Sequence, residues 1–428
     1  MTRVHRSMHE TMPRPLDRRS LVLAALSTVV EWYDFTLFLY LATVLSRVFF
    51  GGEGAVLTAL LGFAVAYLMR PVGAAVFGHF GDRRGRRATL LASMTLMSVA
   101  MLLTALLPTS AQIGPAAGVL LLALRCVMGF AVGGEYTGVV AYLLEGAPPH
   151  RRGFITSLAA ATSEIGGLLA AGIAALTVSL LPAPALDSWG WRLPFLFGAA
   201  LAAAILFARA AMKESPEFEA HRDAGTLATS PLGDAFTRHR AGVLRGFAIS
   251  ALGSITYYVG ITYVPVYLTS VGSLSEAQSL QLATIAALAV ILVTPFVGLL
   301  ADRVGRRPVL VGLALLCAAL PWTLFRLLAD ATSVVATAGA VLLAALAGGV
   351  SAVGAVATAE QVPAQGRLSA LALGATTATA LFGGLTPWLA QLLMQKTGQL
   401  SAPGAMIAVV ALCVLPVLLM LPETRPKR

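Results

Sequence analysis

One charged loop sequence occurs twice in this chain, each time between two long apolar segments. The first copy reads GHFGDRRGRR, from Gly78 to Arg87, and the second reads GLLADRVGRR, from Gly298 to Arg307. The copies lie 220 positions apart and share Gly, three residues, Asp-Arg, one residue and Gly-Arg-Arg. Similar loops at matched places in two apolar halves indicate a duplicated membrane protein.

A second repeat supports the duplication. A Glu, two residues, a Pro, three residues and an Arg run from Glu145 to Arg152, and again from Glu360 to Arg367, 215 positions later. Each copy joins the end of one apolar segment to the start of the next. A charged turn explains either motif alone, but two motifs with similar offsets favour internal duplication.

The composition excludes a soluble globule of this length. Of the 428 residues, 57% are hydrophobic and 12% are charged, whereas a soluble domain is about 25% charged. A spanning helix needs about 20 apolar residues, and the chain divides into twelve such segments. We therefore predict an all-α membrane protein with twelve transmembrane helices, over residues 20–49, 56–79, 88–108, 115–145, 153–181, 191–212, 241–271, 276–301, 308–329, 332–361, 366–396 and 400–421.

The longest polar stretch separates six spans from six. The predicted organisation is a cytoplasmic N-terminal tail (1–19), an N-terminal six-helix half (20–212), a cytoplasmic linker (213–240), a C-terminal six-helix half (241–421) and a cytoplasmic tail (422–428). Glycines within the spans, such as Gly73, Gly129 and Gly133, predict close packing of helices.

Arginine and lysine are concentrated in alternate loops. The opposite loops hold few of them, namely Arg47, Arg192, Arg326 and Lys396. The positive-inside rule then places both termini in the cytoplasm. An even number of spans agrees, because it puts the two termini on the same side of the membrane. Because the basic residues are dispersed among loops, the net charge of +10 does not indicate nucleic-acid binding. The first span is too long for a signal-peptide core, so we expect it to be retained.

The sequence offers no pattern typical of an enzyme. The three cysteines, Cys126, Cys317 and Cys413, all fall inside predicted spans, without metal-ligand spacing or a disulfide framework. No set of nucleophile and base is recognisable either. We therefore predict a protein that is not an enzyme and that needs no metal and no cofactor.

Six ionisable residues lie inside the predicted spans of the first half and away from the span ends, where they are costly and are usually functional. They are Glu31, Asp34, Arg70, Arg125, Glu135 and Glu164. Glu31 and Asp34 are three residues apart and so share one helix face. Arg70 precedes Asp82 by twelve residues, about 18 Å of helix, which places it near mid-membrane. The second half offers Tyr257, Tyr258, Gln281 and Trp388 instead.

Two roles are possible for these six charged residues. Each charge can lock helices together as a structural ion pair, and this alternative stays open for Glu135 and Glu164 in particular. Asp34 and Arg125 are expected to lie at similar depth and to form a pair that can be broken. An acid that alternates between a partnered and an unpartnered environment is a proton-coupling device.

The arginines indicate what is bound. Arg70 and Arg125 each offer a planar fork of donors to a carboxylate, and a low-dielectric cavity strengthens such recognition. Aromatic rings that do not serve only in packing can line the same pocket. Glu135 and Glu164 can face a substrate cation. The candidate substrate contacts are Arg70, Arg125, Tyr33, Tyr136, Glu135, Glu164, Tyr257, Tyr258, Gln281 and Trp388.

Several runs resemble a known family. EWYDF (31–35), RPVGAAVFGHFGD (70–82) and RCVMGFAVGGEYTG (125–138), with the repeated loop, are similar to the metabolite:proton symporters of the major facilitator superfamily. That family takes up organic acids or zwitterions such as proline and betaine, and GGEYTG is most similar to its proline/betaine branch. The resemblance covers nearly the whole chain, the second half mainly through topology and the loop motif. It implies the major facilitator fold, with two pseudo-symmetric six-helix halves in the bacterial inner (plasma) membrane.

The resemblance also implies residue roles. Asp34 matches the proton carrier, Arg125 its fourth-helix partner, and Glu31 lies in the same run. The charged loops match cytoplasmic gates that hold helix ends together in the outward-open state. The implied gate residues are Asp82, Arg83, Arg86, Arg87, Glu145, Arg152, Asp302, Arg303, Arg306, Arg307, Glu360 and Arg367.

We therefore predict proton-coupled symport of a small carboxylate-bearing metabolite. A drug-exporting antiporter is the first alternative, but the fifth span lacks the Gly-Pro pair typical of that class. A membrane sensor is the second, and it would normally carry a cytoplasmic domain longer than these tails. The expected partners are a small-molecule substrate, protons and the lipid bilayer, with no nucleic acid, and we expect a monomer.

Overall fold

The computed structural model describes residues 18–51, 55–227, 231–271, 276–329 and 333–426. Within these ranges the chain is helical and contains no strand. Most of the predicted N-terminal tail (1–17) and the last two residues (427–428) lie outside the described residues.

Six long helices form the first half. Their apolar residues cluster in one core that includes Leu37, Met97, Trp191 and Phe195. The helices are α1 (Arg18–Tyr40), α2 (Ala55–Arg84), α3 (Arg86–Leu106), α4 (Ala116–Gly146), α5 (Arg152–Leu180) and α6 (Arg192–Arg209).

Six further helices form the second half around a separate core that includes Leu252, Tyr267, Phe325 and Val350. A π-helical turn, Tyr258–Thr262, joins the two parts of the first of them. The helices are α7 (Arg240–Tyr257 with Val264–Ser270), α8 (Glu276–Val304), α9 (Arg306–Ala329), α10 (Ser333–Glu360), α11 (Arg367–Thr397) and α12 (Ala402–Leu419).

Ten of these twelve long helices are, over the described residues, long and apolar enough to cross a membrane; α2 and α7 are the other two. The outer faces of the ten helices carry large exposed apolar side chains, such as Phe207, Phe296 and Val334. The predicted all-α architecture of twelve spanning helices in two halves is confirmed.

Glycine sets the closeness of the packing between α2 and α4. A Cβ atom on Gly73 would meet the carbonyl oxygen of Phe130, and one on Gly129 would meet that of Ala66. Any larger side chain would therefore push the two helices apart. This contact fixes the position of Arg70, because the backbone of Arg70 lies directly against Gly133 of α4.

The two halves meet mainly along two helix pairs, α2 with α11 and α5 with α8. The duplication relates these pairs to each other, since α2 corresponds to α8 and α5 to α11. A third apolar cluster contains residues of both halves, such as Leu90, Leu144, Val356 and Leu368. The chain between the halves forms two short helices, Pro216–Asp223 and Pro231–Thr237.

Candidate functional site

A cavity of about 160 Å³ lies between the two halves. It is bounded by α1, α2, α4 and α5 on one side and by α7, α8, α10 and α11 on the other. Its charged lining residues, Glu31, Arg70 and Glu164, all belong to the first half. The second half contributes apolar residues and hydroxyl groups. The hydroxyl groups belong to Ser250, Ser254, Tyr257, Tyr258, Ser351, Thr358, Thr376 and Thr379.

Arg70 is the positive charge of this cavity. Its guanidinium lies 4.3 Å from the ring centre of Tyr67 and 5.1 Å from that of Phe35. These aromatic faces hold the guanidinium plane and partly replace its hydration. Only 9% of the residue is exposed.

Glu31 is the acid closest to this arginine. Arg70 Nη1 donates to Glu31 Oε1 across 3.4 Å, at the long end of hydrogen-bond distances. The other carboxylate oxygen, Oε2, is buried and has no hydrogen-bond partner in the described part of the chain. The pair therefore uses only part of the donor fork, and the remaining donors can serve another acceptor.

Glu164 has a different environment. The hydroxyl of Tyr257 donates to Glu164 Oε1 across 2.5 Å, from the opposite half. No Arg, Lys or His of the described residues lies within ion-pair distance of Glu164. Trp32 packs edge-on against Tyr257, with ring centres 5.1 Å apart. The carboxylate of Glu164 thus lies beside aromatic rings and lacks a cation.

Asp34 and Arg125 form the predicted pair, but outside the lining of the cavity. Both guanidinium nitrogens Nη1 and Nη2 donate to the two Asp34 oxygens, across 2.8 and 3.2 Å. The pair is 2% and 4% exposed, respectively. Phe38 and Phe195 flank the guanidinium. A bidentate pair in such surroundings is strong while both groups stay charged.

Glu135 belongs to a fully buried network near one end of the first half. Arg209 of α6 donates to its carboxylate and to the hydroxyl of Ser27. Arg209 also donates to the carbonyl oxygen of Leu90, across 2.8 Å, and Ser93 donates to Glu135 across 2.7 Å. Four helices, α1, α3, α4 and α6, are tied together here. The structural ion pair, which the sequence left open for Glu135, is the arrangement found.

Five of the ten predicted substrate contacts line the cavity, namely Arg70, Tyr136, Glu164, Tyr257 and Tyr258. The other five lie elsewhere, so their prediction as cavity residues needs correction. Counting residues from the nearest loop predicted the depth of these side chains in the bundle, but not the helix face on which each side chain lies. Arg125 pairs with Asp34, Glu135 pairs with Arg209, Tyr33 donates to the Pro194 carbonyl, Gln281 is exposed, and Trp388 is 61% exposed.

The first copy of the repeated loop joins α2 to the start of α11. A Cβ atom on Gly78 would lie 3.0 Å from the carbonyl oxygen of Leu368, so glycine permits this approach. Four residues later, Asp82 accepts hydrogen bonds from the backbone N–H groups of Leu368 (3.3 Å) and Ser369 (2.9 Å). A carboxylate at a helix N-terminus satisfies these N–H groups and interacts favourably with the helix dipole.

The second copy repeats this contact between α8 and α5. Gly298 lies against the backbone of Gly153. Asp302 accepts hydrogen bonds from the backbone N–H groups of Gly153 (2.8 Å) and Phe154 (2.9 Å). Each half thus contributes one aspartate that binds the first turn of a helix of the other half.

Buried arginines extend both contacts. Arg86 lies 3.1 Å from Asp82 and 3.0 Å from Glu145, and it donates to the carbonyl oxygen of Ala364 in the second half. Arg367 of the second half lies 2.6 Å from Glu145. This charge network therefore crosses between the halves.

The equivalent network in the second half is smaller. Arg306 lies 3.2 Å from Asp302 and 3.1 Å from Glu360. Glu360 has no ion pair with Arg152, although the duplication would make that pair the counterpart of Glu145 with Arg367. Arg152 lies instead 3.0 Å from Glu217 of the linker helix.

The arginines of the repeated loops are not equivalent. Arg86 and Arg306 are buried, whereas Arg83, Arg303 and Arg307 are exposed. Arg87 is half-buried and donates to the carbonyl oxygen of Ala210, across 2.6 Å. Among these predicted gate residues, the buried one in each loop is the first arginine of the Gly-Arg-Arg run.

Two glutamates that the sequence analysis missed cap the next helices. Glu214 accepts hydrogen bonds from the two backbone N–H groups that follow Gly85, and Glu423 does the same after Gly305. Both glycines have positive φ angles, 107° and 123°, which any other residue would adopt only under strain. Burial raises the pKa of Glu214, and its backbone hydrogen bonds oppose that rise.

A short sequence repeat would have revealed these caps. Glu-Ser follows the last span of the first half at 214–215, and Glu-Thr follows that of the second half at 423–424. The hydroxyl of Ser215 donates to Glu145, and that of Thr424 donates to Glu360. This is a third repeated element, at the same end of both halves.

Comparisons with known proteins agree with this architecture. Residues 20–235 match the family model "Sugar (and other) transporter", and residues 271–428 match the model "Major Facilitator Superfamily". The fold is similar to that of the proton:xylose symporter XylE bound to 6-bromo-6-deoxy-D-glucose, with a TM-score of 0.80 at 20% identity over 95% of this chain and 96% of that one.

Curated relatives share about a third of their residues with this chain. The citrate-proton symporter of Klebsiella pneumoniae is 33% identical over 90% of this chain and 87% of its own length. The proline/betaine transporter of Escherichia coli (strain K12) is 33% identical over 92% and 81%. The inner membrane metabolite transport protein YhjE of the same strain is 33% identical over 97% of both chains.

Proposed function

The chain belongs to the major facilitator superfamily of transporters, and from this membership we propose that it is a proton-coupled symporter for a small carboxylate-bearing metabolite. It is a multi-pass membrane protein, and its family and fold are those of secondary transporters rather than enzymes. Relatives named for citrate and for proline or betaine support a substrate with a carboxylate.

The observation that carries this proposal is the position of Arg70. It is the cationic side chain among the described cavity-lining residues, and its single bond to Glu31 is long. A substrate carboxylate can take a bidentate position on the free donors of the guanidinium. The aromatic rings beneath Arg70 keep the fork in place, so little side-chain entropy is lost on binding.

Proton coupling is assigned to Asp34. The bidentate bond with Arg125 stabilises its charged form, and loss of that bond would leave a buried carboxylate that favours protonation. Glu31, one helical turn away on α1, links this region to the cavity. A proton on Glu31 would weaken its bond to Arg70 and free the arginine for the substrate.

Alternating access is assigned to the end of the bundle that carries the repeated loops. Asp82 and Asp302 bind helix ends across the halves, and breakage of these bonds would open that end. We infer that this end is cytoplasmic, with both termini, the linker 213–240 and the arginine-rich loops on the same side of a bacterial inner membrane. The halves 20–212 and 241–421 would then move against each other.

Uptake into proteoliposomes tests the proposal. The purified protein is reconstituted, a pH gradient that is acidic outside is imposed, and uptake of labelled proline, glycine betaine, citrate and 2-oxoglutarate is measured. We expect accumulation of at least one carboxylate above equilibrium, abolished by a protonophore and by Arg70→Ala. Uptake of none of these compounds, or uptake that a protonophore leaves unchanged, would contradict the proposal.

A further inference from the structure

We propose that the substrate is a zwitterion, whose carboxylate binds Arg70 and whose ammonium group binds Glu164 beside the rings of Trp32 and Tyr257. This inference rests on the proposed function and specifies the chemical class of its substrate. It also assigns to Glu164 a role in specificity.

The charges of the cavity favour this class. The described lining contains one cation, Arg70, and two carboxylates, Glu31 and Glu164. A substrate carboxylate on Arg70 satisfies the cation and leaves Glu164 with only the Tyr257 hydroxyl. An ionised carboxylate that is 5% exposed needs an opposite charge close by, and the described residues provide none. A substrate ammonium group supplies that charge.

The same count disfavours a di- or tricarboxylate. A second substrate carboxylate would find no second arginine in the described lining and would lie close to the like charge of Glu164. At the short distances inside a small cavity, and in a low dielectric, such repulsion is strong.

The aromatic residues suit the cation. Trp32 and Tyr257 pack edge to face, and Tyr257 packs in the same way on Tyr258, with ring centres 5.4 Å apart. Tyr257 bonds directly to Glu164, so the rings and the carboxylate surround one region. Aromatic faces attract alkylammonium groups, which form few hydrogen bonds of their own. This combination serves both a quaternary ammonium group and a protonated secondary amine.

The experiment compares each zwitterion with an isostere that keeps the carboxylate but lacks the positive charge. Affinities of the purified protein are measured by calorimetry for proline and cyclopentanecarboxylate, and for glycine betaine and 3,3-dimethylbutanoate. Each pair differs only in the replacement of the nitrogen by carbon. We expect at least one zwitterion to bind at least about tenfold more tightly than its isostere. In Glu164→Gln the ratio should fall below about threefold, with the affinity for the isostere kept, and Glu164→Asp should retain a preference.

The outcomes separate this inference from the proposed function. Equal binding of a zwitterion and its isostere overturns the zwitterion inference and leaves carboxylate transport intact. Tighter binding of citrate than of either zwitterion also overturns the zwitterion inference and leaves carboxylate transport intact. Binding of no carboxylate overturns both proposals. Retention of the preference in Glu164→Gln, with loss of pH-driven accumulation, makes Glu164 a proton-binding residue and also overturns the inference. The wild-type comparison decides even if the variant fails to fold.

Discussion

Asp82 and Asp302 hold equivalent positions in the two halves, and each accepts two backbone hydrogen bonds from the first turn of a helix in the opposite half. The four donor–acceptor distances lie between 2.8 and 3.3 Å. Both carboxylates are at least 95% buried on the side chain. Duplication of one loop motif has therefore produced two similar contacts that close the same end of the bundle.

Asp82→Asn should weaken one of these contacts. The amide keeps an acceptor oxygen but loses the charge that binds both the helix N-terminus and Arg86. A bias of about 1–3 kcal/mol shifts a two-state equilibrium roughly 5- to 150-fold, so the population open at this end should rise and net transport should slow. Labelling of single cysteines engineered between the loops measures the opening.

Asp223→Asn is the matched control, because Asp223 lies on the linker helix with its side chain 71% exposed and pairs only with Arg222 among the described residues. Labelling should not change in this variant. If Asp82→Asn slows transport while labelling stays at the wild-type level, Asp82 serves folding and not the gate.

Glu217 should act as a clamp between the halves. It lies 3.0 Å from Arg152 of the first half and 3.0 Å from Arg367 of the second. Since its side chain is 21% exposed, screening limits each bond, and we expect Glu217→Gln to raise cysteine labelling about two- to fivefold. Glu219 is exposed on the same helix and provides the control substitution Glu219→Gln. Equal labelling in both variants would exclude the clamp.

The fold and the charged contacts within each repeated loop were predictable because the sequence encodes them locally. Apolar length gives the spans, and the Asp-to-Arg spacing of a repeated loop keeps its charges together whatever the tertiary structure. The repeated motifs placed Glu145 and Glu360 at the same end of the two halves as these loops, but their pairing with Arg86 and Arg306 appeared only in the structure. What remained hidden was the choice of partner across the halves, as in the pairing of Arg152 with the linker and not with Glu360.

The cavity was only partly predictable. Counting residues from a loop gives the depth of a side chain, but adjacent residues of α1 point in different directions. Trp32 lines the cavity while Tyr33 packs into the core of its own half. Arg209 was missed because an arginine at the end of a span is typical of a loop. Its burial depends on Glu135, 74 residues earlier in the chain.

Glu135→Gln should destabilise the protein. Removal of one partner from a buried ion pair typically costs about 3–5 kcal/mol, because the other charge stays buried and unpaired. Glu135 and Arg209 are both completely buried, so a clear fall in the temperature of thermal unfolding in detergent is expected. The exposed pair of Arg47 and Asp187 provides the control. Asp187→Asn should cost less than about 1 kcal/mol, and equal losses would contradict the structural role of Glu135.

Arg70→Lys should weaken substrate binding at least about tenfold, or about 1.4 kcal/mol. The ammonium keeps the charge but loses the planar fork and its stacking on Tyr67. Calorimetric affinity for the transported carboxylate measures the effect. Arg84→Lys, an exposed change on the same helix, should leave affinity unchanged. Wild-type affinity in a folded Arg70→Lys protein would limit Arg70 to its pair with Glu31.

Asp34→Asn should separate coupling from binding. The asparagine keeps the shape of the side chain and can still accept a bond from Arg125, but it cannot exchange a proton at physiological pH. Because Asp34 lies outside the cavity lining, substrate affinity should remain within about threefold of the wild type, less than about 0.7 kcal/mol. Accumulation driven by a pH gradient should be lost, while counterflow exchange of labelled for unlabelled substrate should continue.

Loss of pH-driven accumulation with continued counterflow exchange is expected only for a residue that couples protons. A folding defect would lower both activities, and a substrate-binding defect would lower exchange first. The calorimetric affinity in the same preparation shows that the cavity is intact. Glu31→Gln provides an informative contrast, because this change lies in the cavity and should alter the pH dependence of binding through Arg70. Normal pH-driven accumulation in Asp34→Asn would transfer the coupling role to Glu31 or Glu164.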